Sequence, residues 1–380
     1  MTVDLLIKNG TVVDPARGFH ESGDVAVKAG KIVEIPAGEV SATRVIDANG
    51  CLVMPGLIDF HAHVFSPGTE ISVWADSAML PQGVTTVVDP GSAGLGNYPN
   101  FVGTVVPFSQ MRVLSLVNVS VTGLITLRYH EDVNPKHYDV NGLKSLFSTY
   151  PGQLMGLKVR QSRDIVGQLG LEPLKATLKM AGEIGCRVVV HVTDPPCPLT
   201  DIADLLRPGD VFCHVYQGTG HTIIGSDGKV LPGIKAARER GVIFDAANGK
   251  SHFTFGVARA AIADGFLPDV ISTDLTVLSL YLDWAFGLPY LMSKYLSLGV
   301  SLTDVTAACT STPAQWLGKQ GQLGTLAAGA IADIAVLRPI RRATRFCDTL
   351  GEVFIGEQLL VPQMTVLGGR IVYRQVDFST

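Results

Sequence analysis

Charge is scarce in this chain: Asp, Glu, Lys and Arg make up 17 % of 380 residues, against about 25 % in an average soluble domain. The 30 basic and 34 acidic residues leave a net charge of −4 with no basic run. That balance excludes the electrostatic footprint of a nucleic-acid or anionic-membrane binder. No stretch approaches the roughly 18 consecutive apolar residues of a membrane helix. The opening residues, Met1-Thr2-Val3-Asp4-Leu5-Leu6-Ile7-Lys8, lack the basic flank, apolar segment and small-residue cleavage site of a secretory signal. The six cysteines, Cys51, Cys186, Cys197, Cys213, Cys309 and Cys347, show no CxxC spacing, so reduced thiols and a cytoplasmic location are expected. No GxGxxG lies between a strand and a helix, and Gly94-Leu95-Gly96 reads as a loop, which argues against a dinucleotide-binding sheet. So little charge excludes general disorder. It fits a large buried core and an oligomer surface, and a homo-oligomer is expected.

What is present divides the chain into two characters. The first 55 residues read as short strands broken by Gly10, Ala29-Gly30 and Asn49-Gly50. From Pro55, β-branched runs alternate with amphipathic stretches. The strand candidates are Leu57–Val64, Thr85–Asp89, Val113–Val119, Met155–Arg160, Arg187–Thr193, Val211–Tyr216, Val242–Ala246 and Val270–Asp274. Eight β–α units in about 250 residues predict a TIM barrel, whose strands are buried on both faces. Strand-like segments return near Asp333–Leu337, Thr349–Ile355 and Met364–Tyr373. The predicted architecture is therefore α/β: a (β/α)8 TIM barrel over residues 55–320, with a small β-sandwich domain formed by the N- and C-terminal segments 1–54 and 321–380.

The strongest chemical feature is Pro55-Gly56-Leu57-Ile58-Asp59-Phe60-His61-Ala62-His63. Residues two apart on a strand share a face, so Asp59, His61 and His63 are expected to point into the barrel together. Two such imidazoles can hold one metal ion. Further candidates stand near the C-terminal ends of other predicted strands, where barrel enzymes build their sites: Lys158 on the fourth, His191 on the fifth, His214 on the sixth and Asp274 on the eighth.

These residues resemble those of the amidohydrolase superfamily, in the binuclear subtype that carries a carboxylated lysine. The resemblance extends to Gly324-Thr325-Leu326 and Gly329-Ala330-Ile331-Ala332-Asp333 near the C-terminus. It implies two divalent metal ions, zinc being expected. His61, His63 and Asp274 would hold the more buried ion, His191 and His214 the more exposed one, and Lys158, carboxylated by carbon dioxide, would bridge them. Charge agrees with this: two divalent cations set against carbamate, aspartate and hydroxide leave about one positive charge, suited to polarising a carbonyl. The mechanism implied is attack by a metal-bridging hydroxide, with Asp274 as general base and then general acid.

Absences discriminate among the family's chemistries. Val192, Thr193 and Asp194 follow His191, so the HxxE of deaminases is missing. Phe65 stands where common bacterial dihydroorotases have an arginine. D-aminoacylases tend to use a cysteine ligand, but Cys51 and Cys213 read as packing residues, Cys213 facing opposite to His214. Gly156-Leu157-Lys158-Val159-Arg160-Gln161-Ser162-Arg163 and Met292-Ser293-Lys294-Tyr295 resemble a dihydroorotase-like, deacetylase branch. The expected activity is hydrolysis of an amide or ester bond, as in deacetylation of an N-acyl amino acid or acylated α-hydroxy acid. The alternatives are a cyclic amidohydrolase of dihydroorotase or hydantoinase type and, further off, a catalytically silent scaffold. The expected partner is a small-molecule substrate, with no nucleic acid and no membrane. Arg160, His221 and His252 are the candidates for substrate contacts.

Overall fold

A computed structural model describes residues 2–35 and 40–379. Turn chemistry shapes the N-terminal part: Gly18, at φ +63°, reverses the chain between β1 (Thr2–Asp14) and β2 (Phe19–Lys28), which pair antiparallel. β3 (Lys31–Val33) extends this hairpin, while β4 (Ser41–Asp47) and β5 (Leu52–Pro55) pair with β1 in parallel.

The chain then enters a second, all-parallel sheet. Its strands are β6 (Leu57–Asp59), β7 (Val84–Asp89), β8 (Arg112–Asn118), β9 (Leu154–Arg160), β10 (Arg187–His191), β11 (Val211–Cys213) and β12 (Ile243–Asp245), side by side in chain order. Alternation along β10 shows why the runs are apolar. Val188 and Val190 join a cluster with Leu174, Met180 and Ala181 of the helix Glu172–Ile184. Val189 joins Ile58, Leu116 and Val211 in a different one.

The last three strands return to the first sheet. They are β13 (Ile334–Cys347), β14 (Val353–Leu367) and β15 (Arg370–Arg374). β13 pairs with β5, giving the order β15-β14-β13-β5-β1-β2-β3, with β4 on β1. Both ends of the chain thus build one eight-stranded sheet. β13 and β14 form a long hairpin, paired from Ile334↔Val366 out to Cys347↔Val353.

The predicted eighth strand, Val270–Asp274, departs from expectation. It makes single parallel bridges, Asp245↔Val270 and Ala62↔Leu275, one to each edge of the parallel sheet. Its backbone bonds to both edges, the Val270 and Ser272 carbonyls accepting from Ala246 and Asn248 N–H (2.9 and 3.2 Å) and Asp274 N–H donating to the His61 carbonyl (2.6 Å), but Thr273 N–H turns to Asp59 Oδ1 (3.0 Å). Other predicted strands stop short at candidate site residues. β6 ends at Asp59, β10 at His191 and β11 at Cys213. The residues His214 (φ +64°) and Asp274 (φ +48°) adopt left-handed backbone, a conformation costly outside glycine that gathers at functional sites.

Candidate metal centre and cleft

A cleft of about 230 Å³ opens at the C-terminal ends of the parallel strands. Each strand or the turn after it contributes: His61 and His63 after β6, Gly91 after β7, Asn118 at the end of β8, Lys158 and Arg160 at the end of β9. His191 ends β10, His214 follows β11, Lys250, Ser251 and His252 follow β12, and Asp274 completes the ring.

Two of three ligand-capable groups among the described residues meet here, the third being His61, Cys213 and Asp245. His61, His63 and Asp274 present ligand atoms within 4.8 Å of one another, and so do His191, His214 and His252. Asp274 joins them: Oδ1 lies 3.6 Å from His61 Nε2 and 3.5 Å from His63 Nε2, and Oδ2 lies 3.4 Å from His252 Nε2. Lys158, buried, places Nζ 3.4 Å from His61 Nε2.

Hydrogen bonds on the far edges of the rings fix the tautomers. The Ser92 hydroxyl donates to Asp89 Oδ2 (2.7 Å), so the 2.7 Å contact with His63 Nδ1 requires Nδ1–H to donate. His61 Nδ1 lies 3.3 Å from Asp245 Oδ2. His214 Nδ1–H donates to the Ala247 carbonyl (2.8 Å). Each arrangement leaves the Nε2 lone pair facing the cleft, as in imidazoles that bind metals. The Nε2 of His214 is buried and has no hydrogen-bond partner among the described residues, a cost that a cation would relieve. Burial first, and neighbouring cationic groups second, hold His61, His191 and His214 well below the ordinary imidazole range. His252 is lowered to about 4, again chiefly by burial. These neutral nitrogen donors and one carboxylate suit a divalent ion of zinc type.

Other candidates fall differently. Arg160 lines the cleft, but its Nε lies 3.4 Å from Oε1 of the buried Glu131, so part of its charge is already answered. His221 lies outside the cleft: its side chain is exposed, and its carbonyl accepts from Gln217 Nε2. The glycine-rich turn after β11 carries that side chain away from the ring of ligands. Cys213 also departs from expectation. Its Sγ lies 3.5 Å from both His61 Nδ1 and Asp245 Oδ2. The left-handed turn at His214 breaks strand alternation, so consecutive side chains approach the same cluster. Asp59 does not reach the ligands; it accepts from Thr273 N–H and Oγ1–H and so anchors the residue before Asp274. Burial pushes Asp59 and Asp245 up to about 7. Sequence reasoning missed Asp89, Ser92, Glu131 and Asp245. The signal available for Asp89 and Asp245 was an acid at the last position of a barrel strand.

Two segments, residues 44–133 and 221–372, match the amidohydrolase family. A deacetylase of Agrobacterium fabrum is 32 % identical over 377 residues, covering 97 % of this chain and 91 % of that protein. This chain belongs to the amidohydrolase superfamily. Among solved structures, one described as an adenine deaminase superposes with a TM-score of 0.87 at 27 % identity, covering 98 % of this chain and all of that one. One described as a dihydroorotase gives 0.85 at 30 % identity, covering 98 % of each. This amidohydrolase is thus a metal-dependent hydrolase acting on C–N bonds. Among the described residues no helix is long and apolar enough to cross a membrane.

Proposed function

We propose that this amidohydrolase removes the acyl group, typically acetyl, from an N-acyl amino acid or an acylated α-hydroxy acid. The observation that carries the reading is Asp274, whose two oxygens face His61 and His63 on one side and His252 on the other. In this reading His61, His63 and Asp274 would hold one divalent ion, His191 and His214 would hold a second, and Lys158, carboxylated, would serve both, with zinc as the metal. Bound ions of this kind supply Lewis acidity that lowers the pKa of water and polarises a carbonyl. Asp274 takes the proton of the attacking water and returns it to the leaving nitrogen or oxygen. His252 Nε2, 3.4 Å from Oδ2, steadies that carboxylate. Lys250 and Arg160 offer positive charge to a substrate carboxylate, and Leu124, Leu127 and Leu278 offer apolar wall to its side chain.

The cyclic-amide alternative has support from the dihydroorotase-like structural neighbour. Against it, Phe65 stands buried in the apolar core, so this position sends no side chain to a substrate carboxylate. The reading also carries an eight-stranded barrel over residues 55–320, a β-sandwich-like domain from 1–54 and 321–380, a homo-oligomer and a cytoplasmic location, to which the six free cysteines conform. The deciding experiment is a panel of N-acetyl amino acids, O-acetyl α-hydroxy acids, dihydroorotate and hydantoins on enzyme purified with bicarbonate and zinc. Turnover of the acyclic acyl compounds is expected. Turnover confined to cyclic amides would replace the proposal.

A further inference from the structure

Besides the 2.7 Å contact of His252 Nδ1 with Thr193 Oγ1 and the amide bonds of Asn248 and Gly249 to the Ser272 and Thr273 carbonyls, the loop that carries His252 is held from two further directions. One is the tip of the β13–β14 hairpin, about a hundred residues later in sequence. Thr349 N–H donates to the Phe253 carbonyl (3.0 Å), Phe253 N–H donates to Thr349 Oγ1 (3.3 Å), and Thr349 Oγ1–H reaches the Lys250 carbonyl (3.4 Å). Beside it, Asp348 accepts from Phe255 N–H through Oδ2 (3.1 Å) and from Trp284 Nε1–H through its carbonyl (3.2 Å). The tip itself is braced, because Asp348 Oδ1 accepts from the amides of Leu350 and Glu352.

The other is Lys294, on the helix Leu288–Ser297 and fully buried. No carboxylate lies within ion-pair distance of it among the described residues, although the nearby Asp348 carboxylate favours its charged form. Its ammonium donates instead to the Trp284 carbonyl (2.9 Å) and to Asn248 Oδ1 (3.4 Å), and lies 4.3 Å from the centroid of the Phe253 ring. Asn248 Nδ2–H in turn donates to Tyr295 Oη (3.1 Å). A buried charge without a carboxylate in direct contact is costly, and a methionine would fill the same volume more cheaply. What the ammonium does that methionine cannot is tie the start of one cleft loop, at Asn248, to another at Trp284. Between these anchors lie Lys250, Ser251 and His252, all lining the cleft.

We infer that Thr349 and Lys294 are positioning residues: together they hold the Asn248–Phe253 loop so that His252 and Lys250 face the reacting centre. The inference rests on the hydrolytic reading of this cleft for its kinetic consequence but not for its structural one. Thr349→Val removes the hydroxyl and keeps the shape, Thr349→Ser keeps the hydroxyl, and Lys294→Met removes the charge. In the metal-loaded full chain, backbone amide exchange over residues 247–254 is expected to quicken about ten-fold in Thr349→Val and Lys294→Met, and to stay at the wild-type rate in Thr349→Ser. KM for the best acyl substrate is expected to rise about five-fold in the first two, with metal stoichiometry unchanged and the serine variant restored. Thr349→Val indistinguishable from wild type in both readouts, or Thr349→Ser as impaired as Thr349→Val, overturns the inference. If Lys294→Met does not fold, the threonine pair decides alone. If the wild type cleaves no acylated acid, the hydrolytic reading fails while the exchange rates still judge the loop.

Discussion

His61 Nδ1 lies 3.3 Å from Asp245 Oδ2, on the ring edge opposite to the nitrogen that faces Lys158 and Asp274. The carboxylate is fixed in turn, because its Oδ1 accepts from Ser272 Oγ–H (2.6 Å) and Ala247 N–H (3.1 Å). A carboxylate so held orients the imidazole and keeps its proton on Nδ1. Asp245→Asn is therefore expected to weaken metal binding about 10- to 100-fold while leaving the chain folded. Competition with a chelator measures this, and an unchanged affinity would remove Asp245 from the metal-binding apparatus.

The bridging role proposed for Lys158 makes a sharper demand. The side chain is buried beside His61 and opens onto the cleft that both ligand groups share. Lys158→Ala is expected to bring metal content from two ions per chain to one or fewer, and turnover down about a thousand-fold or more. Elemental analysis of protein grown with zinc and bicarbonate gives the count. Two ions retained in Lys158→Ala would rule out the bridge.

Part of this candidate site is legible in the sequence alone. The period-two spacing of His61 and His63, and single polar residues at the ends of apolar runs, located Lys158, His191, His214 and Asp274 because strand periodicity needs no tertiary information. Where the backbone leaves that periodicity, sequence reasoning failed. Alternation turned Cys213 away from His214, but the left-handed φ at His214 brings both to the same cluster. The eighth strand reads as regular, whereas Thr273 gives its amide to the Asp59 carboxylate and only single bridges form to each edge. Glu131 carries no sequence signal because an acid in a loop acquires meaning only from what folds against it, and Asp245 carries only its place at a strand end. Both chain ends share strand character and pair in one sheet; the reach of the β13–β14 tip to the cleft loop has no such signal, since no local pattern encodes a contact a hundred residues distant.

Asp274→Asn separates ligation from proton transfer. The amide keeps an oxygen donor toward His61 and His63 but cannot take up a proton, so metal content is expected to change little while kcat falls about 10²- to 10⁴-fold. Activity within about three-fold of wild type would show that the proton travels by another route.

Lys294 supplies a prediction about stability and pH. Burial lowers its pKa from 10.5 to about 7, so in the unfolded chain it holds its proton to higher pH than in the folded one. Below about pH 7 the ammonium is charged in both states and the folded protein carries the whole cost of burying it. Between about pH 7 and 10.5 the unfolded state binds more protons, and stability from this residue rises with pH, by at most about 1.4 kcal/mol per pH unit. The wild type is therefore expected to gain in melting temperature relative to Lys294→Met as pH increases from 7 to 10, with all other titrating groups cancelling in the difference. Parallel thermal melts of the two proteins across that range supply the measurement. A constant difference would mean that Lys294 keeps its proton throughout, held by the Trp284 carbonyl, Asn248, the Phe253 ring and the nearby Asp348 carboxylate more firmly than burial opposes it.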